Sequence, residues 1–216
     1  ELFDAARKYQ IKLAPTYGMT ETASQVATLK PQDFLAGNNS NGQVLPHAKI
    51  IVKNEIGETL YQNQIGNISI KANSLALGYY PDVFNNYESL VTDDLGFFDH
   101  QGYLKIVGRS SQKIITGGEN VFPTEVEAAI LATGLVNDVC VIGLADKYWG
   151  EVVTAVYVGK NFEVSRDKLL ATIDEKLSKF KQPKYWLKVE SLPRNYRGKL
   201  STCLLYTSPS PRDITP

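Results

Sequence analysis

Only two cysteines occur in these 216 residues, Cys140 and Cys203, too few for a disulfide framework. Cys140 lies in the apolar run Val139-Cys140-Val141-Ile142, where a small buried thiol is the ordinary reading, so a reducing compartment, the cytoplasm, fits best. Net charge is also missing. The 23 acidic and 23 basic residues cancel, which leaves no long-range field to draw in nucleic acid or an anionic membrane. Any anion must then be held by a local site. No segment approaches the ~18 consecutive apolar residues of a membrane span. The opening Glu1-Leu2-Phe3-Asp4 has neither an initiator methionine nor a signal peptide, and the natural N-terminus is expected upstream of it. What remains is a bland globular composition, long enough for one or two domains with a sizeable core.

The other end is unusual. Residues Cys203 to Asp213 read CLLYTSPSPRD, which matches the in-frame translation of a transposase sequencing adapter over eleven consecutive residues. Composition alone would favour a Ser/Pro-rich disordered tail. The match makes residues 203–216 an expected adapter translation, with native sequence stopping at Ser201 or Thr202.

Between these ends the pattern changes once. Leu2, Ala5, Ala6 and Tyr9 sit at helical spacing, which predicts a helix over residues 1 to about 12. Ala48 to Lys53, Gly66 to Ala72 and Tyr103 to Val107 alternate or carry β-branched residues between Gly, Asn and Asp clusters, so a small antiparallel sheet or barrel is expected. After Arg109, strands mix with amphipathic helices. Pro123 opens one helix, with Glu125 and Glu127 near its positive end. Val136 to Leu144, Val152 to Gly159 and Tyr185 to Val189 read as strands. Ser165 caps a second helix whose apolar face is Leu169, Leu170, Ile173, Leu177 and Phe180, with Pro183 marking its end. The fold class is therefore α+β, with a domain boundary at Ser110-Ser111.

Short motifs stand out in this frame. In Tyr17-Gly18-Met19-Thr20-Glu21, Thr20 offers a hydroxyl to a phosphate oxygen and Glu21 a hard oxygen to Mg²⁺, which is often held by one or two carboxylates plus substrate phosphates. Gly18 would let the backbone approach a nucleotide, and Tyr17 would stack on its base. Taken alone, Thr-Glu more often caps a helix. In Thr92-Asp93-Asp94-Leu95-Gly96, Asp94 is placed to accept both hydroxyls of a ribose, although an aspartate bonding its own turn is the commoner case. Gly117-Gly118-Glu119-Asn120 precedes the Pro123 helix and has the composition of an anion nest. Gly198-Lys199 is, by itself, an ordinary surface turn.

In this order, and together with Gly108-Arg109, the motifs resemble the C-terminal part of the acyl-adenylate-forming (AMP-binding) ligases. The resemblance implies that residues 1–110 are the rear of a large AMP-binding domain and 111–202 a small, mobile α+β domain. It implies that Asp94 and Arg109 bind the ribose, that Ile106 packs near the adenine, and that Lys199 contacts the reacting carboxylate and the α-phosphate. Strand core is the plainer reading of Ile106. Ser111 matches the family's hinge, and the Gly117-Gly118 loop its pantetheine tunnel. Trp149-Gly150-Glu151 resembles a segment near the CoA side. The implied partners are ATP, Mg²⁺, CoA and a small carboxylic acid. Two departures stand out: Asp93 replaces a usual glycine and leaves the local loop geometry open, and Asn67 follows Gly66 where the family commonly has glutamate.

Tyr17 through Gln25 and Gly117 through Asn120 are most similar to the o-succinylbenzoate-CoA ligases of menaquinone and phylloquinone synthesis, with Ser24 and Gln25 facing the acyl substrate. For Ser24, helix capping is an equal alternative. Other readings are a general aryl or fatty acyl-CoA ligase, a peptide-synthetase adenylation domain, and a noncatalytic nucleotide-binding module. The Ser/Thr/Gly-rich phosphate loop that catalysis requires is not among these residues, and most of the acid pocket is expected outside them too.

Overall fold

The computed structural model describes residues 2–84, 89–160, 164–196 and 198–201. The expected adapter translation, 203–216, lies outside them. The chain divides into two compact units at Ser110/Ser111.

The first unit begins with α1 (Leu2–Lys8). This helix stops short of residue 12 because Gln10 takes a left-handed φ of 53°. Ile11 N–H then bonds Ala6 O at 2.8 Å and Gln10 N–H bonds Arg7 O at 3.0 Å, a Schellman closure of the last turn. Strands β1 (Thr16–Met19) and β2 (Ser24–Thr28) form a hairpin, followed by the short helix α2 (Pro31–Leu35) and strand β3 (Gln43–Val44) beside β2. Strands β4 (Ala48–Lys53), β5 (Gly66–Ala72), β6 (Leu90–Phe98) and β7 (Leu104–Arg109) make a four-stranded antiparallel sheet. Its order is β4-β5-β6-β7, an open sheet rather than the barrel also considered.

Period-two burial builds this unit's core. Ile50 and Val52 of β4 lie opposite Ile70 and Ile68 of β5, and these four pack with Tyr17, Val26, Ala27 and Leu104. Asn67, the departure after Gly66, pairs with Lys53 and Leu95 as an ordinary strand residue. Asp93 and Asp94 fall inside β6 rather than in a loop. Asp93 does not carry a positive φ, so nothing in this backbone requires the usual glycine.

In the second unit, β8 (Ile114–Thr116) and β9 (Glu119–Val121) form a hairpin around Gly117 and Gly118, with φ of 58° and 85°. Both central residues thus take the positive φ that tight two-residue hairpin turns use. Helix α3 (Pro123–Leu131) follows, with Pro123 in its first turn. Because β9 intervenes, no helix N-terminus backs the glycine pair, and the Gly117 N–H is already taken by Trp149 O, which weakens the anion-nest reading. Strands β10 (Val136–Asp146) and β11 (Gly150–Gly159) pair antiparallel along their length. Helix α4 (Arg166–Ile173) leads to β12 (Tyr185–Lys188), which runs parallel to β11. Ser165 caps α4 as expected, accepting the Lys168 N–H. The helix ends at Ile173, not at Pro183, and one more turn follows it, closed by Lys176 and Leu177 N–H on Ile173 O.

Alternation along β10 and β11 loads both sheet faces. Val139, Val141, Val153, Ala155 and Tyr157 meet Val126 and Ile130 of α3 and Leu169 and Ile173 of α4. On the opposite face Cys140, Ile142 and Val156 pack with Leu192 and Leu200. Burial pushes the Cys140 thiol up to about 12, as suits an inert core residue. Among the described residues no helix is long and apolar enough to cross a membrane.

Glu127 does not serve the helix dipole. Its Oε1 accepts the Val141 N–H at 2.8 Å, and burial, with the charge of Asp138 adding to it, raises its pKa. A raised carboxyl pKa favours the protonated form in the fold. Its contribution is therefore complete below the unfolded value of about 4.3 and is lost as pH rises through the folded value. Glu127→Gln keeps the acceptor and removes the charge. Thermal melts should show little difference from the parent near pH 4.3 or below, and a more stable variant near neutrality.

Candidate active site

The turn between β1 and β2 is built around a buried hydroxyl. Thr22 Oγ1 accepts the Met19 N–H at 3.1 Å and lies 2.7 Å from Ser24 O, which accepts its proton. Residues Thr20–Thr22 form a single 3₁₀ turn, and Ala23 and Ser24 leave it at φ of 53° and 116°. Non-glycine residues in succession at positive φ are strained, and here the surrounding bonds hold them. Ser74 Oγ donates to Thr22 O and Ala76 N–H to Glu21 O, each at 2.8 Å. Thr20 is left exposed. The Tyr79 hydroxyl donates to Glu21 Oε1 and holds that carboxyl below its usual range.

Gly18 is required here by the chain itself. A Cβ there would lie 2.0 Å from Ser24 O and 2.6 Å from the Gln25 Cα, so β2 accounts for the glycine that had been assigned to close approach of a nucleotide. Ser24 opens β2 and pairs with Met19, which removes the helix-capping alternative. Gly18, Thr20, Ser24 and Gln25, together with Thr16, Met19 and Ala23, line a cleft of about 430 Å³. A larger cleft of about 790 Å³ is lined by Asp33, Asn41, Tyr103 and Ile106 among others. Volume alone would select the second. The first holds four of the residues picked out from the motifs, and its chemistry identifies it as the better candidate.

Asp94 is held from the neighbouring strand β7 and from β1 of the other sheet. Tyr17 Oη donates to Asp94 Oδ2 at 2.7 Å, and Arg109 Nε approaches Oδ1 at 3.4 Å across the β6–β7 pair. Asp94 N–H bonds Thr92 Oγ1 at 3.1 Å. Tyr17 is 8% exposed, with its ring in the core, so the stacking role is corrected: the hydroxyl and not the ring face serves the site. Burial, and then the bond to Asp94, push the Tyr17 phenol upward, and it stays a donor at neutral pH. Each Asp94 oxygen takes one donor and keeps acceptor capacity to spare. Ile106 is half-buried against the core and its N–H bonds Asn41 Oδ1 at 3.0 Å, which favours its strand-core reading.

The second unit brings Gly117, Gly118 and Trp149 together. Gly117 N–H bonds Trp149 O at 2.9 Å, and a Cβ on Gly117 would lie 2.9 Å from Trp149 Cε3. Nothing stands within 4 Å of a Cβ on Gly118. Lys184 Nζ sits 4.6 Å from the Trp149 ring centroid, and the Asp146 carboxylate accepts the Trp149 N–H at 2.9 Å. Glu151 Oε2 accepts the Ile115 N–H at 2.8 Å, bracing the hairpin that carries the glycines. Ser111 opens this unit within the short 3₁₀ turn Ser110–Gln112. Lys199 is exposed, in a turn where its N–H bonds Asn195 Oδ1 at 2.9 Å.

Thr22, Thr92, Tyr79 and Lys184 were not anticipated. Thr22 and Thr92 stand inside the quoted motifs, where a hydroxyl next to a carboxylate is a usable signal. Tyr79 and Lys184 are brought in by tertiary folding and have no local signature.

Residues 1–80 match the AMP-binding enzyme family, and residues 125–199 match the AMP-binding enzyme C-terminal domain. The chain belongs to the AMP-binding enzymes. Tyr17, Thr20, Glu21, Ser24 and Gln25 lie in the first matched stretch of this AMP-binding chain, and Trp149 and Lys199 in the second. Asp94, Ile106, Arg109, Ser111 and the glycine pair lie between them. The 2-succinylbenzoate–CoA ligase of Oceanobacillus iheyensis is 37% identical over 205 residues, 92% of this chain and 42% of that protein. The o-succinylbenzoate CoA synthetase of Bacillus subtilis, in complex with its acyl-adenylate intermediate, superposes with a TM-score of 0.84 at 34% identity, over 92% of this chain and 42% of that one. The same enzyme has been solved with ATP and magnesium. ATP-bound MatB from Rhodopseudomonas palustris gives a TM-score of 0.83 at 32% identity, over 95% of this chain and 43% of that one. This chain thus spans under half the length of these relatives.

Proposed function

We propose that this chain is the C-terminal part of an ATP-dependent acid–CoA ligase acting on o-succinylbenzoate in menaquinone or phylloquinone biosynthesis. The observation that carries the reading is the Tyr17–Asp94–Arg109 arrangement, a carboxylate fixed by two donors with acceptor capacity left for the two hydroxyls of a ribose. The Bacillus subtilis relative, bound to an acyl-adenylate, supports it. In the first half-reaction the acid's carboxylate attacks the α-phosphorus of ATP, giving acyl-adenylate and pyrophosphate. In the second, the CoA thiol attacks the acyl carbon, giving the thioester and AMP.

Each residue has a part in this scheme. Asp94 and Arg109 hold the ribose, and Tyr17 orients Asp94. Thr20 donates its hydroxyl to a phosphate oxygen, while Ser24 and Gln25 face the acid. Lys199 offsets the repulsion between the carboxylate and the α-phosphate, and its flexible stem suits a charge that must arrive and leave. Gly117, Gly118 and Trp149 border the thiol's path, and backbone torsions near Ser111 carry the exchange of faces.

The donor set fits Mg²⁺ held chiefly by phosphates. Glu21 gives one carboxylate kept ionised by Tyr79, and no group of three or more potential ligand side chains gathers among the described residues. A bound magnesium ion would neutralise phosphate charge during the displacement. The reaction belongs in the cytoplasm, in keeping with the buried free thiol of Cys140.

A broader acid–CoA ligase is the second reading, because most of the pocket that would select the acid is expected outside these residues. Thioester formation by the product of the intact gene decides between them. With o-succinylbenzoate, benzoate and a medium-chain fatty acid each supplied with ATP and CoA, kcat/KM should favour o-succinylbenzoate by at least about a hundredfold, and by up to about ten-thousandfold if the site bonds its polar groups. Equal values for all three acids would support the broader reading.

A further inference from the structure

Lys199 stands at the tip of a small hairpin whose legs and tip are secured differently. The legs are held by the sheet. Arg194 and Leu200 form an isolated antiparallel bridge, Ser201 N–H bonds Pro193 O at 2.9 Å, and Leu192 and Leu200 pack against Cys140, Ile142 and Val156. The tip is tied by polar contacts. Asn195 holds both backbone groups of Lys199: its N–H donates to Lys199 O at 2.8 Å, and its Oδ1 accepts the Lys199 N–H at 2.9 Å. The Arg194 guanidinium then crosses the hairpin, donating through Nη1 to Gly198 O at 2.9 Å and through Nη2 to Asp138 Oδ2 at 2.5 Å. Asp138 belongs to β10, at the point where its register with β11 shifts.

We propose that the Asp138–Arg194 pair is a positioning device for Lys199, fixing the lysine-bearing tip to the central hairpin of the second unit so that its charge is delivered in one orientation. The inference rests on the adenylating role of Lys199 proposed above. One fork of the guanidinium grips the strand and another grips the carbonyl immediately before Lys199, a two-point hold that a single ammonium charge does not reproduce. Without Asp138, Arg194 keeps only the Gly198 carbonyl, and the two Asn195–Lys199 bonds are left to hold the lysine without an anchor to β10. Misplacement by about 1 Å costs on the order of a hundredfold in a positioned reaction. Because both side chains are partly exposed, at 45% and 32%, water replaces some of the lost hold, and about a tenfold loss is expected.

The test has two arms. In the 216-residue chain, Asp138→Asn and Arg194→Met should speed hydrogen exchange of the Lys199 amide by about tenfold while leaving the β10–β11 amides as slow as in the parent. In the product of the intact gene, the same variants should lower kcat of acid-dependent adenylate formation by about tenfold, with KM for ATP and the CoA half-reaction unchanged. Unchanged Lys199 amide exchange in Asp138→Asn, or unchanged adenylate formation while Lys199→Ala is disabling, overturns the positioning role and leaves the proposed function intact. A harmless Lys199→Ala defeats the proposed function instead, and the exchange arm still reports whether the pair restrains the tip. Should Asp138→Asn fail to fold, Arg194→Lys provides the same reading, because it keeps the charge and loses the fork.

Discussion

Lys199→Ala in the product of the intact gene will slow adenylate formation by about a hundredfold or more, the loss seen when one transition-state donor is removed. Two anions must meet in that step, and the lysine charge offsets their repulsion most strongly as the new bond forms. CoA attack on a supplied acyl-adenylate should be nearly unaffected, since the role proposed for Lys199 ends when the adenylate has formed. Gly118→Leu should give the reverse. Gly118 has φ of 85° and open space where a Cβ would stand, so leucine there projects into the proposed thiol path and is also strained. Rapid-quench measurement of each half-reaction in both variants checks the pair. Equal losses in both steps for both variants would contradict alternation of faces.

Asp94→Ala will raise KM for ATP by about ten- to a hundredfold, from the loss of charge-assisted bonds worth about 1.5–3 kcal/mol to the ribose. The cost has a second part inside the protein. The Tyr17 hydroxyl, buried and bonded to Asp94 at 2.7 Å, loses its acceptor, an orphaned group that costs about 1–3 kcal/mol of stability. Tyr17→Phe separates the two effects. It removes the orphan together with the bond, so in the Asp94→Ala background it should restore much of the lost melting temperature without restoring KM. A KM within about twofold of the parent in Asp94→Ala would remove Asp94 from nucleotide binding.

Where the residues of one face are enough to define an element, the sequence is readable. Ile50, Val52, Ile68 and Ile70 alternate cleanly, and their strands begin and end where the pattern does. Strand β6 is different. Asp93, Asp94 and Gly96 are poor strand formers, and only pairing with β5 and β7 on both sides makes Leu90–Phe98 extended. The Gly117-Gly118 hairpin was legible in principle from Ile114 and Val121 on either side of a Gly-Gly turn, but the following proline drew attention to the helix. At the site, the motifs supplied Tyr17, Asp94 and Arg109 but not their arrangement. That the Tyr17 ring faces the core depends on Val26, Ile68 and Leu104, which no local spacing reveals. The bond from Tyr79 to Glu21 spans 58 residues and arises only when the chain after β5 folds back on the Thr20–Thr22 turn.

The most direct measurement is acid-dependent exchange of labelled pyrophosphate into ATP, with the product of the intact gene supplied with o-succinylbenzoate, ATP and Mg²⁺ in the absence of CoA. A ligase that forms a reversible acyl-adenylate will incorporate label only when the acid is present, and addition of CoA will divert the adenylate to thioester and AMP. Label incorporated equally without any acid, or no incorporation with o-succinylbenzoate and every other carboxylic acid tried, would contradict acid activation by adenylation.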